Sequence, residues 1–189
     1  MKRKLINWAK PKIKRLLGIR TYSMVEELTK KGFVIGKRCN IQPGCIIDDS
    51  HSWHIEIGDD VTLAPRVHVL AHDASTWTFL GYTKIKNTRI GNRVFIGASS
   101  IILPGVIIGN DVIIGAGSVV TKSIPDNSVF AGNPAKFIMA TSEYIEQEKQ
   151  KMNTENCFGR EFSEANNVSM ENKMLMKRMV EKYGTAYAE

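Results

Sequence analysis

Isoleucine recurs at every sixth position from Ile90 to Ile114, through Ile96, Ile102 and Ile108, and Val120 follows in the same phase. Glycine comes directly after the aliphatic residue at Ile90-Gly91, Ile96-Gly97, Ile108-Gly109 and Ile114-Gly115. A looser version runs through Ile35-Gly36, Ile41 and Ile47, then Ile57-Gly58, Leu63-Ala64 and Val69-Leu70. Four residues after these positions come small or β-branched residues: Cys39, Cys45, Val61, Val67, Val94, Ser100, Val106, Val112, Ser118 and Ile124. An α-helix would spread these isoleucines around its axis, and a hairpin meander has no reason to repeat at this interval.

A hexad repeat fits a stacked coil of parallel strands, in which each hexad forms one flat side of a prism. Three sides make a turn of about 18 residues, so the aliphatic residues pile into one interior column on every turn. The residue after each inward aliphatic is expected to turn a tight corner, which glycine or alanine does at little cost. The expected fold is therefore an all-β core, a parallel β-helix, with helical extensions at both ends.

The repeat divides the chain into a basic N-terminal segment 1–32, a coil 33–138 and an extension 139–189. Residues 1–20 carry eight lysines and arginines and no acid, against a whole-chain net charge of +7, so the remainder is about neutral. That excludes a broadly basic nucleic-acid surface and confines the positive charge to one segment. The cations alternate with Leu5, Ile6, Trp8, Ile13, Leu16 and Leu17, broken by Pro11. This pattern suits an amphipathic helix, either packed on protein or docked on an anionic membrane surface. No apolar run approaches the ~18–20 residues of a membrane span, and Cys39, Cys45 and Cys157 have no metal-ligand spacing. A cytoplasmic protein, at most peripheral to the inner face of the membrane, is expected. Residues 22–31 read as a short helix closed by Gly32, and Ser169 and Gly184 are suitable caps for a Met-rich helix between them.

The hexad phase breaks twice. The first break falls between Ile47 and Ile57, at Asp48-Asp49-Ser50-His51-Ser52-Trp53; the second ejects a loop expected to span 73–89, with Trp77, Phe79 and Tyr82. Nothing in stacking requires such loops, so they are candidates for function. All four histidines, His51, His54, His68 and His72, lie around these breaks. His72 stands at the mouth of the ejected loop and is the candidate general base, since imidazole titrates near neutral pH. His54 precedes it by three hexads, one full coil, and is expected beside it if the register holds. Asp48 and Asp49 are candidate acceptor-binding acids, or turn residues. Asp73, beside His72, joins them.

The runs Ile57-Gly58-Asp59-Asp60-Val61, Ala71-His72-Asp73, Arg93-Val94-Phe95-Ile96-Gly97-Ala98, Ile114-Gly115-Ala116-Gly117-Ser118-Val119-Val120-Thr121-Lys122 and Ala131-Gly132-Asn133-Pro134-Ala135-Lys136 resemble the galactoside and maltose O-acetyltransferases of the hexapeptide-repeat family. The resemblance covers about 35–138 and includes members that serve surface-polysaccharide synthesis. It implies a left-handed parallel β-helix, a homotrimer with active sites between prisms, and acetyl-CoA as donor with no metal requirement. His72 matches the family's catalytic base and Asp49 its acceptor-binding acid, while Ile41 falls near the place of an acceptor-site asparagine. Backbone groups of Ala98 and Ala116 match contacts to the pantetheine arm, Phe95 stands where relatives carry a tunnel-lining tryptophan, and Thr121, Lys122 and Lys136 match the nucleotide end.

The expected reaction is direct transfer to a hydroxyl of a sugar or glycan acceptor, with His72 as base and the amide of Gly97 or Ala98 as oxyanion donor. No cysteine is in phase to carry an acyl group. An amino-sugar N-acetyltransferase remains an alternative, and so does a zinc lyase resembling the γ-class carbonic anhydrases, which needs three histidines to converge.

Overall fold

The computed structural model describes residues 23–163 and 166–189; the basic segment 1–20, with the helix and membrane contact expected of it, lies outside them. The chain divides into two compact units, one ending at Ile138 and the other comprising Met139–Glu189.

The first unit begins with helix α1 (Met24–Lys30). Ser23 and Glu26 form a reciprocal capping box: the Ser23 hydroxyl accepts from the Glu26 amide at 3.3 Å, and the Glu26 carboxylate accepts from the Ser23 amide at 2.7 Å. The chain then cycles through three sheets. The first holds β1 (Val34–Ile35), β4 (Ile55–Ile57), β9 (Thr88–Ile90) and β12 (Ile107–Ile108). The second holds β2 (Asn40–Ile41), β5 (Thr62–Leu63), β10 (Phe95–Ile96), β13 (Val112–Ile114), β15 (Ser128–Ala131) and β16 (Lys136–Ala140). The third holds β3 (Ile46–Ile47), β6 (His68–Val69), β11 (Ile101–Ile102) and β14 (Val119–Val120). Successive coils pair in parallel with every inward aliphatic stacked on its counterpart, Leu63 on Ile96 on Ile114 and Val69 on Ile102 on Val120.

Alternation within each short strand drives this arrangement. Phe95 is 45% exposed and Ile96 not at all; Ile107 is 50% exposed and Ile108 1%. Full burial of each such isoleucine stabilises the coil by roughly 1.5–3 kcal/mol. The small residues of the second interior column, Val61, Val67, Val94, Val106 and Val112, are buried beside them.

The glycines serve a different purpose from the corner-turning expected of them. The left-handed residue of each corner lies three positions after the inward aliphatic: Arg38, Asp60, Arg66, Arg93, Ser99, Asp111 and Asn127, or Gly44, Gly105 and Gly117. The glycine directly after the aliphatic is required by the close approach of the next coil. A Cβ on Gly97 would lie 2.4 Å from the Ala116 nitrogen, and one on Gly91 2.6 Å from the Gly109 carbonyl oxygen. The polar edge between first and second sheets is tied by a side-chain ladder. Asp59, Asn92, Asn110 and Asp126 each accept the amide of the residue stacked before it, at 2.7–2.8 Å.

The register shows both insertions. Regular coils repeat every three hexads, as in Phe95↔Ile113 and Ile101↔Val119. Ile46 pairs with His68 and His68 with Ile101, so each insertion lengthens its coil beyond that repeat, the second far more than the first. The second insertion is a hairpin: β7 (His72–Asp73) pairs antiparallel with β8 (Lys84–Ile85), and a short helix α2 (Trp77–Leu80) tops it. It is shorter than expected from sequence, because Thr88 is already buried in a coil strand and bonds the Leu70 carbonyl at 2.7 Å.

The second unit contains helix α3 (Thr141–Lys151), helix α4 (Met170–Tyr183) and the parallel pair β17 (Cys157–Phe158) and β18 (Tyr187–Ala188). Ser169 caps α4 by accepting from the Asn172 amide, and Gly184 ends it at φ +75°. Leu175 and Met179 line a pocket with Phe158 and Phe162, while Met170 and Met174 are exposed.

Candidate active site

The edge where the third sheet gives way to the first gathers the chemistry. Asp48 follows β3, His72 follows β6, Leu103 follows β11, and Thr121 and Lys122 follow β14. Asp48 is 5% exposed. Its Oδ2 accepts from the amides of Ala71 and His72, each at 3.0 Å, and from His72 Nδ1 at 2.5 Å. Its Oδ1 accepts from the Ser50 hydroxyl at 2.8 Å and the His51 amide at 3.3 Å. Burial on its own pushes the Asp48 carboxyl up; the bonds from His72, the Ala71 amide and Ser50 outweigh it and hold the pKa below the usual carboxylate value. A carboxylate at Nδ1 leaves the lone pair on Nε2 of His72 for proton transfer.

Asp48 therefore sits behind His72 and orients it, rather than facing an acceptor as expected. Asp49 is exposed, and its carbonyl oxygen accepts from Lys31 Nζ at 3.1 Å. Asp73, expected beside the acceptor, is engaged in the hairpin instead. It accepts from the Ser75 amide at 2.8 Å and pairs with Lys84 at 2.5 Å, and the Lys84 bond, with the Ser75 amide second, draws its pKa far down.

His54 is not beside His72. The first insertion lengthens that coil, so the position stacked on His72 is Ser50, whose hydroxyl lies 3.4 Å from His72 Nδ1. His54 Nδ1 lies 2.6 Å from Asn87 Oδ1 instead. The histidine that meets His72 is His51, ring centroids 4.9 Å apart, with its Nδ1 3.0 Å from the Ser50 hydroxyl. Sequence reasoning missed Ser50 and His51 as site residues; the count of extra residues at the first break would have shifted the register onto them.

Two histidines and an aspartate converge rather than three histidines. Ligand atoms of Asp48, His51 and His72 lie within 4.8 Å of one another, but both oxygens of Asp48 already accept N–H or O–H donors. His68 is on the third sheet and His54 is turned to Asn87. The set fits a hydrogen-bonded dyad better than a three-histidine zinc centre.

The expected donor-side residues fall on two edges. Phe95 faces outward from β10, and Gly97, Ala98 and Ala116 follow at the edge between the second and third sheets. The Gly97 amide is committed to the Ile114 carbonyl at 2.8 Å, so it is not an oxyanion donor, and Ala98 is left as the candidate. Thr121 and Lys122 are exposed on the same edge as His72, and Lys136 is exposed in β16. Thr121 lines a pocket of about 180 Å³ with Asp73, Lys84, Lys86, Leu103 and Pro104.

The model for the bacterial transferase hexapeptide, six repeats, matches residues 87–122. Protein CapG of Staphylococcus aureus is 45% identical over 124 residues, 63% of this chain and 72% of that one. Galactoside O-acetyltransferase of Escherichia coli K12 is 40% identical over 103 residues, 49% of this chain and 46% of the relative, so that match spans under half of the relative. Among solved structures, a galactoside acetyltransferase in complex with coenzyme A is 28% identical, superposes with a TM-score of 0.53, and covers 75% of this chain and 78% of that one. The chain belongs to the hexapeptide-repeat acetyltransferases, and is an acyltransferase.

Proposed function

We propose that the protein transfers an acetyl group from acetyl-CoA to a hydroxyl of a saccharide acceptor, as a homotrimer of left-handed parallel β-helices. The observation that carries this reading is the buried Asp48 carboxylate on Nδ1 of His72, which presents Nε2 as a base at the mouth of an inserted hairpin. His72 takes the proton of the acceptor hydroxyl as its oxygen attacks the thioester carbonyl. The tetrahedral oxyanion is met by the Ala98 amide of a neighbouring prism, the C–S bond breaks, and His72 returns the proton to sulfur. The products are an acetyl ester and free CoA. The bound coenzyme A in the related galactoside acetyltransferase supports the donor, and the names of both galactoside relatives support the acceptor class.

The division of the donor site supports an assembly of more than one copy, and the resemblance to the hexapeptide-repeat family supports three. Ala98 and Ala116 lie on one edge of the coil, His72, Thr121 and Lys122 on another, so a cleft between two copies joins them. Small residues at 98 and 116 let the pantetheine arm lie along the coil, while Lys122 and Lys136 are point charges for the phosphates. Asp49, exposed at the first insertion, is the acid available to an acceptor hydroxyl. The CoA donor supports a reaction on the cytoplasmic side.

The test is release of CoA thiol from acetyl-CoA with a panel of saccharides, for wild type and His72→Ala. Acceptor-dependent release that His72→Ala lowers at least a hundredfold in kcat, with CoA binding intact, is expected. Loss of CoA binding to the same degree would refute the assignment of His72 as base.

A further inference from the structure

We propose that Trp53 is a stacking platform for a second sugar, so that the preferred acceptor is a saccharide of at least two units rather than a monosaccharide. This rests on the acetyltransferase reading and assigns one side chain to specificity. Trp53 lies in the first insertion, which coil stacking does not require, and is 52% exposed, although the residues on either side of it are held. Ser52 before it is fully buried. His54 after it is held to Asn87 at 2.6 Å. Gly32, at φ +101°, packs so closely that a Cβ there would stand 2.9 Å from the Trp53 Cβ. An exposed indole on a held backbone offers its face at a reduced ordering cost on binding.

The position of that face identifies the occupant. A row of rings runs from the base outward: His72 to His51 at 4.9 Å, and His51 to Trp53 at 5.4 Å. His51 is itself held, through its amide on Asp48 and its Nδ1 at Ser50. The indole is therefore no further from the base than those two ring steps, within reach of the sugar next to the one that reacts. A pyranose has an apolar C–H face and a polar rim, which complements an indole face flanked by the His51 and His54 rings. With the reacting hydroxyl at His72 Nε2, the neighbouring sugar lies over Trp53.

Two measurements test this. The first compares kcat/KM for monosaccharide and disaccharide acceptors of the same sugar: glucose with maltose and cellobiose, galactose with lactose, and N-acetylglucosamine with N,N′-diacetylchitobiose. Wild type should favour at least one disaccharide about tenfold or more. Trp53→Ala should lower that ratio to near one while leaving the monosaccharide rate and the oligomeric state unchanged, and Trp53→Tyr should restore most of the ratio. An unchanged ratio, or an equal loss on both acceptors, overturns the proposal. The second uses Trp8→Phe/Trp77→Phe protein, in which Trp53 is the sole tryptophan. Its fluorescence should shift on titration with a disaccharide from this set and not with the matching monosaccharide, without acetyl-CoA present. No shift with any of them overturns the proposal independently of turnover, whereas absence of CoA release with an intact shift refutes only the acetyltransfer reading.

Discussion

Asp48→Asn isolates the charge of the dyad from its geometry. Oδ2 accepts from two backbone amides and from His72 Nδ1. The amides of Ala71 and His72 can only donate, so the introduced carboxamide must keep its oxygen toward them and turn its NH2 toward Ser50 and the His51 amide. Ser50 can rotate its hydroxyl to accept; the His51 amide, 3.3 Å away, cannot. His72 Nδ1–H thus keeps an acceptor and the imidazole keeps its tautomer, which separates this case from dyads in which asparagine flips the ring's protonation. What disappears is the difference between a hydrogen bond to a charged acceptor and one to a neutral acceptor, about 1–2 kcal/mol. That corresponds to a loss in kcat of about 5- to 30-fold. KM for acetyl-CoA should not move, because Asp48 lies behind the imidazole.

Steady-state CoA thiol release together with thermal unfolding measures both halves. The carboxyl is held below its ordinary pKa, so its stabilising contribution is complete above about pH 4, the unfolded value, and is lost as pH falls through the native value. The asparagine variant lacks that contribution, so its Tm deficit against wild type should shrink in acid. A kcat within twofold of wild type at unchanged Tm would refute the dyad. A loss approaching ten-thousandfold would show that the tautomer depends on the charge after all.

Two further outcomes follow from the coil and its edges. Gly97→Ala drives a Cβ to 2.4 Å from the Ala116 nitrogen, backbone that cannot yield cheaply, and should lower stability by about 1–3 kcal/mol or more. Gly117→Ala meets nothing within 4 Å at φ +69°, and should cost only the left-handed strain of about 1–2 kcal/mol. Urea unfolding that reverses this order would contradict the stacking explanation for the hexad glycine. Lys122→Ala and Lys136→Ala should each raise KM for acetyl-CoA severalfold and leave kcat within twofold, and acetyl-pantetheine, which lacks the nucleotide, should not distinguish either variant from wild type. Equal effects on both donors would remove the phosphate role.

The repeat made the coil legible because a stacked prism reads a period directly. Each inward position, from Ile90 to Val120, meets the same surroundings one turn later, so the sequence must repeat its choice. The two breaks, and with them the neighbourhood of His72, were equally visible, since an insertion is a failure of phase. Contacts that depend on the length of an insertion were not. Counting three hexads back from His72 reaches His54, and the inserted residues put Ser50 and His51 there instead.

Sequence by itself determined the class of fold, the interior columns and the edge on which the chemistry lies, because those follow from local spacing repeated along the chain. Tertiary structure alone decided three things. Asp48 turns inward to hold His72 while Asp49 stays in solvent, because the buried oxygen position is defined by the amides of Ala71 and His72 a coil away. Gly97 spends its amide on the Ile114 carbonyl, because the coil ladder claims it before any substrate does. The glycine after Ile90, Ile96, Ile108 and Ile114 is kept for the approach of the next coil, a distance between residues far apart in sequence, and no local pattern contains it.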